Sequence, residues 1–205
     1  MKSFSEFLLL SEAYNPKKTV VAYKLFRVNE KTPGKLFPLY VSQNSAVPMG
    51  SWVEAKSGDR SSTGKVKSKL GPLAYRPGWH SGDVPVATHI GVKPVGGKPK
   101  FRAPNQVWAK VLVPNDHDWQ TVANSRATIS KKGKPVARTA HITDQIPLNG
   151  HYRYKTNSNM TGNWIISGQM KVVKILTDNE VIRINSGGVR DLPREEPIDL
   201  KKFGF

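Results

Sequence analysis

The ten residues TVVAYKLFRV (residues 19–28) decide the fold class of this chain. They are mostly β-branched, aromatic or aliphatic, and such side chains pack well on a pleated sheet. Thr32-Pro33-Gly34 follows this run, and a second apolar run, LFPLYV (residues 36–41), comes next. Pro and Gly in this arrangement are typical of a turn. We therefore expect two strands near the start of the folded domain.

Further strand-like runs follow at residues 51–55, 107–113, 151–155 and 163–176, the last a hairpin or a bulged strand hinging on Gly168. Thr177 and Glu180 form a capping box that predicts a short helix over residues 180–185. Residues 56–106 are rich in Gly, Pro, Ser and Lys and predict a long loop. The pattern predicts an α+β fold, predominantly antiparallel β. We expect a single compact twisted sheet, few short helices and a long basic Gly/Pro-rich loop region in one domain, residues 13–205.

The charge of the chain indicates a polyanionic partner. The 205 residues include 32 Lys and Arg against 15 Asp and Glu, which gives a formal net charge of +17. This excess is concentrated in residues 60–110 and 126–155. Clustered basic charge is typical of nucleic-acid binding, with DNA the first candidate partner. The lysines expected to contact phosphate are Lys65, Lys67, Lys69, Lys131, Lys132 and Lys134.

The sequence disfavours disulfide bonds, metal sites and membrane spans. The chain has no Cys, which excludes disulfides and thiolate metal sites. It also lacks a His-x-His pair, so we expect no metal site. No apolar run reaches the length of a membrane span, and we expect no membrane partner.

The segment GPLAYRPGWHSGDVPVATHIG (residues 71–91) is the densest cluster of chemically active side chains. His80 and His89 could act as an acid–base pair, because imidazole titrates near neutral pH. Arg76 could stabilise a phosphorane-like transition state, as in a metal-independent nuclease. The alternative is that His80 is a packing residue whose ring bonds to loop backbone. The segment resembles domains of uncharacterised phage and prophage proteins.

A second cluster, HYRYK (residues 151–155), alternates aromatic and basic side chains. On a strand, Tyr152 and Tyr154 would share one face, while Arg153 and Lys155 would share the other. Such a strand suits base stacking together with phosphate contacts. An ordinary half-buried strand explains the same pattern equally well.

The letters LFRV in the first strand resemble the aromatic-Arg start of ADP-ribosyltransferases. The resemblance implies that Arg27 would hold the phosphates of NAD, and NAD would then be the cofactor. The family's Ser-Thr-Ser strand has only Ser61-Ser62-Thr63 as a counterpart, and its Glu motif is reduced to the single candidate Glu180. Without this activity, no cofactor is expected.

The first thirteen residues, MKSFSEFLLLSEA, resemble the capsid-targeting peptide of internal head proteins of T-even-type bacteriophages. Such peptides are short helices that end at a prohead-protease site of the form Leu/Ile-x-Glu before a small residue. Leu10, Glu12 and Ala13 fit that site, with the cut after Glu12. The resemblance implies a removable helix over residues 1–12, with the phage scaffold and the prohead protease as partners. A helix that packs on its own domain is the alternative.

Together these features predict a basic protein that is packaged in the virion head and reaches the host cytoplasm with the DNA. There it would act as a counter-defence or host-takeover effector on nucleic acid or its machinery, with a host protein as a further candidate partner. Two alternatives remain open. One is an enzyme, either a histidine-dependent nuclease or an ADP-ribosyltransferase-like effector. The other is an architectural DNA-binding protein of the virion.

Overall fold

The computed structural model describes residues 14–68, 71–73, 75–86, 102–125, 146–155, 162–186 and 198–205. The strands are β1 (Thr19–Arg27), β2 (Trp52–Glu54), β3 (Trp79–Gly82), β4 (Gln106–Pro114), β5 (His117–Asp118), β6 (Gly150–Tyr154), β7 (Trp164–Ser167) and β8 (Gln169–Ile175). The helices are α1 (Gln120–Ser125), α2 (Asp178–Ser186) and a 3-10 helix (Leu200–Phe203).

The strands form one sheet in the order β2-β8-β4-β1-β3-β7-β6-β5. All of its pairs are antiparallel except the short parallel pair of β5 with β6. The predicted α+β, mainly antiparallel fold is thereby confirmed. β1 lies at the centre and pairs along its whole length with β4, from Thr19 opposite Pro114 to Arg27 opposite Gln106.

The sheet curls because β7 and β8 are consecutive in the chain. Only Gly168 separates them, yet β4, β1 and β3 lie between them in the sheet. One linking residue spans only a few ångströms. The five strands β8, β4, β1, β3 and β7 must therefore bend round until their two ends meet, and they enclose a barrel-like interior.

Alternate side chains of these strands fill that interior. Ala22 and Phe26 of β1 are completely buried, as expected for every second residue of a strand with one face inside. They pack with residues from β4, β7 and β8, and Trp79 of β3 lies against the same cluster. The members from those three strands are Val107, Ala109, Val111, Val113, Ile165, Met170 and Val172.

The outer faces of the sheet are covered by the two α-helices. Ala123 of α1 packs with Tyr152, Tyr154 and Ile166 on one side. Val181 of α2 belongs to a separate cluster on another side, with Leu25, Trp108 and Leu176. The helices are only six and nine residues long. Within the described segments, neither is long and apolar enough to cross a membrane.

The capping box before α2 is confirmed. The backbone N–H of Glu180 donates to the Thr177 hydroxyl at 3.3 Å, and the backbone N–H of Thr177 donates to the Glu180 carboxylate at 3.1 Å. These two bonds satisfy backbone donors that the first turn of a helix leaves unpaired. The observed helix begins at Asp178, two residues before the predicted start.

Three local predictions were wrong. Residues 36–41 form only isolated bridges, Leu36 with Val47 and Phe37 with Arg27, because Pro38 has no N–H to continue a ladder. For residues 163–176 the hairpin alternative was wrong, since β7 and β8 pair with different neighbours, although the break falls at Gly168 as expected. The predicted long loop, residues 56–106, contains β3, a sheet strand that its Gly-rich sequence did not indicate.

Candidate functional site

The sheet splits between β1 and β3. Tyr23 opposite Gly82 is the one pair of residues in register between these two strands, both of which are fully described. Beyond it, the Nζ atom of Lys24 donates a hydrogen bond to the backbone carbonyl of His80 at 2.7 Å. A side-chain ammonium thus stands between the strands at the place where they diverge.

A cavity of about 420 Å³ opens at this split. Its walls come from β1, β3 and neighbouring loops, with further side chains from β2, β4, β6 and β7, and they are rich in aromatic rings. The cationic lining residues are Lys24, Lys56 and Arg76, while Glu54 is the one carboxylate in the described lining and is exposed. The aromatic lining residues are Tyr23, Tyr40, Tyr75, Trp79, Trp108, Tyr154 and Trp164.

Lys24 occupies an unusual environment for a lysine. Its Nζ atom lies 5.2 Å from the centre of the Trp79 ring and 5.7 Å from that of Phe26. Burial lowers its pKa to about 8, and no carboxylate counteracts this shift. Lys24 alternates with Ala22 and Phe26 along β1 and therefore shares their inward face. Lys24 was not predicted as a site residue, although a single lysine on the apolar face of TVVAYKLFRV is a signal that could have indicated it.

His80 and Arg76 both line the cavity, so the structure brings these two predicted residues together. Burial, aided by the positive charges of Lys24 and Arg76, lowers the pKa of His80 to about 3. A ring that is neutral at pH 7 and holds a proton this weakly suits neither general acid nor general base catalysis. The prediction that His80 is catalytic is therefore not supported by its environment. His89 lies outside the described residues.

Arg76 is half-buried and contacts an aromatic side chain at the cavity wall. Its guanidinium lies 5.2 Å from the centre of the Tyr154 ring and is hydrogen bonded to that side chain. Burial raises the pKa of Tyr154 to about 12. Arg76 is thus fixed at the cavity wall by a stacked tyrosine, which is a common arrangement for a guanidinium.

Two of the predicted phosphate-contacting lysines lie on a small ribbon beside the cavity. The ribbon comprises the described residues 59–68 and 71–73, in which Val66 bridges to both Arg60 and Leu73. Val66 is buried and lines the cavity, whereas its neighbours Lys65 and Lys67 are exposed. Alternation along the ribbon therefore directs both lysines outward. The other four of these lysines, Lys69, Lys131, Lys132 and Lys134, lie outside the described residues.

The second predicted cluster lies on β6, and its aromatic face is buried. Tyr152 and Tyr154 are 0% and 4% exposed and belong to the cluster under α1. A nucleobase could not stack on them without displacing that core, which corrects the base-stacking interpretation. Arg153 is exposed and Lys155 is half-buried, so these two remain candidates for phosphate contact.

The residues that an ADP-ribosyltransferase would use are not assembled at the cavity. The Arg27 Nη2 atom donates to the Gln43 carbonyl at 2.7 Å, and Arg27 is absent from the described lining. Residues 61–63 form a turn on the ribbon, and Glu180 caps α2 and pairs with Lys174 at 2.5 Å. Arg27 instead holds the loop that carries Tyr40 and Ser42 at the cavity wall.

The predicted processing residues Leu10, Glu12 and Ala13 lie outside the described residues, so the cleavage site stays a prediction. Within the described ranges, no three His, Asp or Glu side chains gather as a metal site would require.

Comparison of the chain with protein-family models, with curated proteins and with solved structures found no match.

Proposed function

We propose that this protein is a basic internal head protein of a bacteriophage, which enters the host with the DNA and acts there through nucleic-acid binding. The observation that carries the proposal is the net charge of +17, concentrated in the middle of the chain. Lys65 and Lys67 support it, because both are exposed on the ribbon beside the cavity, where they could contact phosphates. The N-terminal resemblance to a capsid-targeting peptide supports the packaging part.

The nucleic-acid part is tested by the salt dependence of binding to duplex DNA. A plot of the logarithm of the binding constant against the logarithm of the salt concentration has a slope that reports the number of phosphate contacts. Each contact that is lost should reduce the magnitude of this slope by about 0.9, because fewer counterions are released. We expect the double variant Lys65→Gln/Lys67→Gln to show a shallower slope in fluorescence anisotropy titrations with labelled DNA. The protein should not distinguish DNA sequences, since phosphate contacts carry no sequence information.

The matched control removes the same charge elsewhere. Lys201 and Lys202 are exposed on the 3-10 helix at the other end of the chain. Lys201→Gln/Lys202→Gln should leave the slope closer to that of the native protein. An equal loss in both variants would show that the ribbon is no specific contact surface. Absence of binding at low salt would rule out DNA as the partner.

The packaging part is tested by mass spectrometry of purified particles. If the prohead protease cuts after Glu12, the packaged form starts at Ala13, and Glu12→Ala keeps it full length. Cleavage also removes Lys2, Glu6 and Glu12, so the remaining chain becomes one charge unit more positive and better suited to lie with DNA. An intact Met1 in mature particles would refute processing, and absence from particles would refute packaging.

A further inference from the structure

The cavity at the split of the sheet holds a cation whose counter-charge is missing from the described protein. Lys24 has one hydrogen-bond partner among these residues, the neutral carbonyl of His80, and no ion pair with a carboxylate. Lys24 is half-buried, and an ammonium that is partly withdrawn from water without an anion is unfavourable. The lowered pKa of Lys24, caused by burial, reflects the same deficit. An anionic group that enters the cavity would supply the counter-charge.

The rest of the cavity indicates what else the ligand carries. Most of the wall is aromatic or aliphatic, which suits a flat, apolar ring system. The polar groups along it include donors: Arg76 carries a guanidinium, and burial raises the pKa of Tyr40 to about 12, so its hydroxyl keeps its proton. The volume of about 420 Å³ falls within the range of small-molecule sites.

We propose that this cavity binds a nucleoside monophosphate unit, with the Lys24 ammonium contacting the phosphate and the half-buried aromatic side chains of the wall, Tyr154 and Trp108 not among them, holding the base. A phosphate would supply the negative counter-charge that Lys24 lacks. A base has a flat apolar face that the aromatic wall accommodates. The same unit can come from a free nucleotide or from the phosphorylated end of a strand. The proposal is independent of DNA binding by the ribbon, because it depends on Lys24 and not on Lys65 or Lys67.

The test is isothermal titration calorimetry of the full chain with the four nucleoside 5′-monophosphates. Lys24→Met keeps the apolar stem and removes the charge, and it should weaken binding by about 10- to 100-fold, as expected for the loss of one charged hydrogen bond. Lys110→Met is the matched control: Lys110 lies on β4 opposite Tyr23, is half-buried and is not a cavity residue in the described lining. It should bind as the native protein does.

Lys24→Gln is the second variant in case Lys24→Met does not fold, since it keeps a donor for the His80 carbonyl without the charge. Adenosine and inorganic phosphate serve as half-ligands, and each should bind at least about tenfold more weakly than adenosine monophosphate. Phosphate that binds as tightly as the nucleotide would overturn the base contact. Uncharged variants that bind as tightly as the native protein would overturn the phosphate contact, and absence of binding by every monophosphate would overturn the whole proposal.

The two sources are separated by competition. A 5′-phosphorylated dithymidylate that displaces adenosine monophosphate from the native protein identifies a strand end as an accepted source of the unit. Failure to displace it assigns the site to free nucleotides, and both results support the proposed ligand class. Lys65→Gln/Lys67→Gln should bind adenosine monophosphate unchanged. A parallel loss of monophosphate binding in that variant would overturn the assignment to the cavity and attribute the signal to the basic surface.

Discussion

At the scale of single residues, burial determines the charge of the side chains around the cavity. His80, with a pKa lowered to about 3, is neutral under physiological conditions, although the sequence suggested a titrating histidine. The physical reason is that the half-buried ring is partly removed from water and that the cations Lys24 and Arg76 lie nearby, and both effects disfavour a positive charge on the ring. Such a ring is a structural group of the wall, and its protonation would work against folding.

This gives a prediction about acid stability. In the unfolded chain His80 has a pKa near 6.5, so between that pH and about 3 the unfolded state binds the extra proton. The stabilising contribution of the neutral ring is therefore complete above pH 6.5 and is lost as the pH falls. At pH 5 the loss reaches about 2 kcal/mol, since each pKa unit corresponds to about 1.4 kcal/mol.

The measurement is urea unfolding of the native protein and of His80→Gln at pH 7 and pH 5. The native free energy of unfolding should fall by about 2 kcal/mol more than that of the variant over this interval. The buried His151, whose pKa is also lowered by burial, contributes equally to both proteins and cancels. An identical decrease in both would show that His80 does not stay neutral in the folded state.

At the scale of elements, one buried ion pair connects three parts of the chain. The guanidinium of Arg102 donates to both carboxylate oxygens of Asp178, at 2.8 and 2.6 Å, and the two residues are 3% and 7% exposed. Asp178 begins α2, and it also accepts the backbone N–H of Ile198 at 2.7 Å. The pair therefore joins the segment before β4, the start of α2 and the C-terminal segment.

Removing one partner of this pair should be strongly destabilising. Arg102→Met would leave the Asp178 carboxylate buried without its cation, which typically costs about 3–5 kcal/mol. The control is Lys174→Met, which removes the exposed pair with Glu180 and should cost less than about 1 kcal/mol. Denaturant unfolding of both variants provides the comparison. Similar costs for the two would contradict the structural importance of the buried pair.

At the scale of the whole molecule, the described chain is anchored almost at its first residue. The Tyr14 hydroxyl donates to the Asp116 carboxylate at 2.5 Å, and the backbone N–H groups of Lys17 and Lys18 donate to the same carboxylate. The side chain of Gln169 donates to the Tyr14 carbonyl at 3.0 Å. These contacts fix the chain immediately after the predicted cleavage site, and all of their partners lie within residues 14–205.

We therefore expect the domain to fold without its first twelve residues. A variant that starts at Ala13 should melt within about 2 °C of the full chain, a difference below about 1 kcal/mol for a protein of this size. Asp116→Ala in that shortened variant is the control, and it should lower the melting temperature because the anchor is lost. A decrease of more than about 4 °C on deletion alone would show that the N-terminal segment packs on the domain.

Much of the fold could be predicted from the sequence because its signals are local. The apolar run of β1, the capping box of α2 and the Gly168 break all act within a few residues and were found in the structure where expected. The Gly-rich β3 was missed because its place in the sheet comes from pairing with β1 and β7, which lie far away in the chain. Sequence patterns contain no record of such pairing.

The sequence by itself determined the fold class, the central strand and the strongly basic character of this protein, since these follow from residue types and short-range periodicity. Only the tertiary structure decided which residues form the cavity. It placed Lys24 in the split between β1 and β3 and keeps His80 neutral at pH 7. It also buried Tyr152 and Tyr154 and engaged Arg27 in a hydrogen bond with the Gln43 carbonyl, away from the cavity lining. The physical reason is that burial and charge environment depend on segments far apart in sequence, which only the curled sheet brings together.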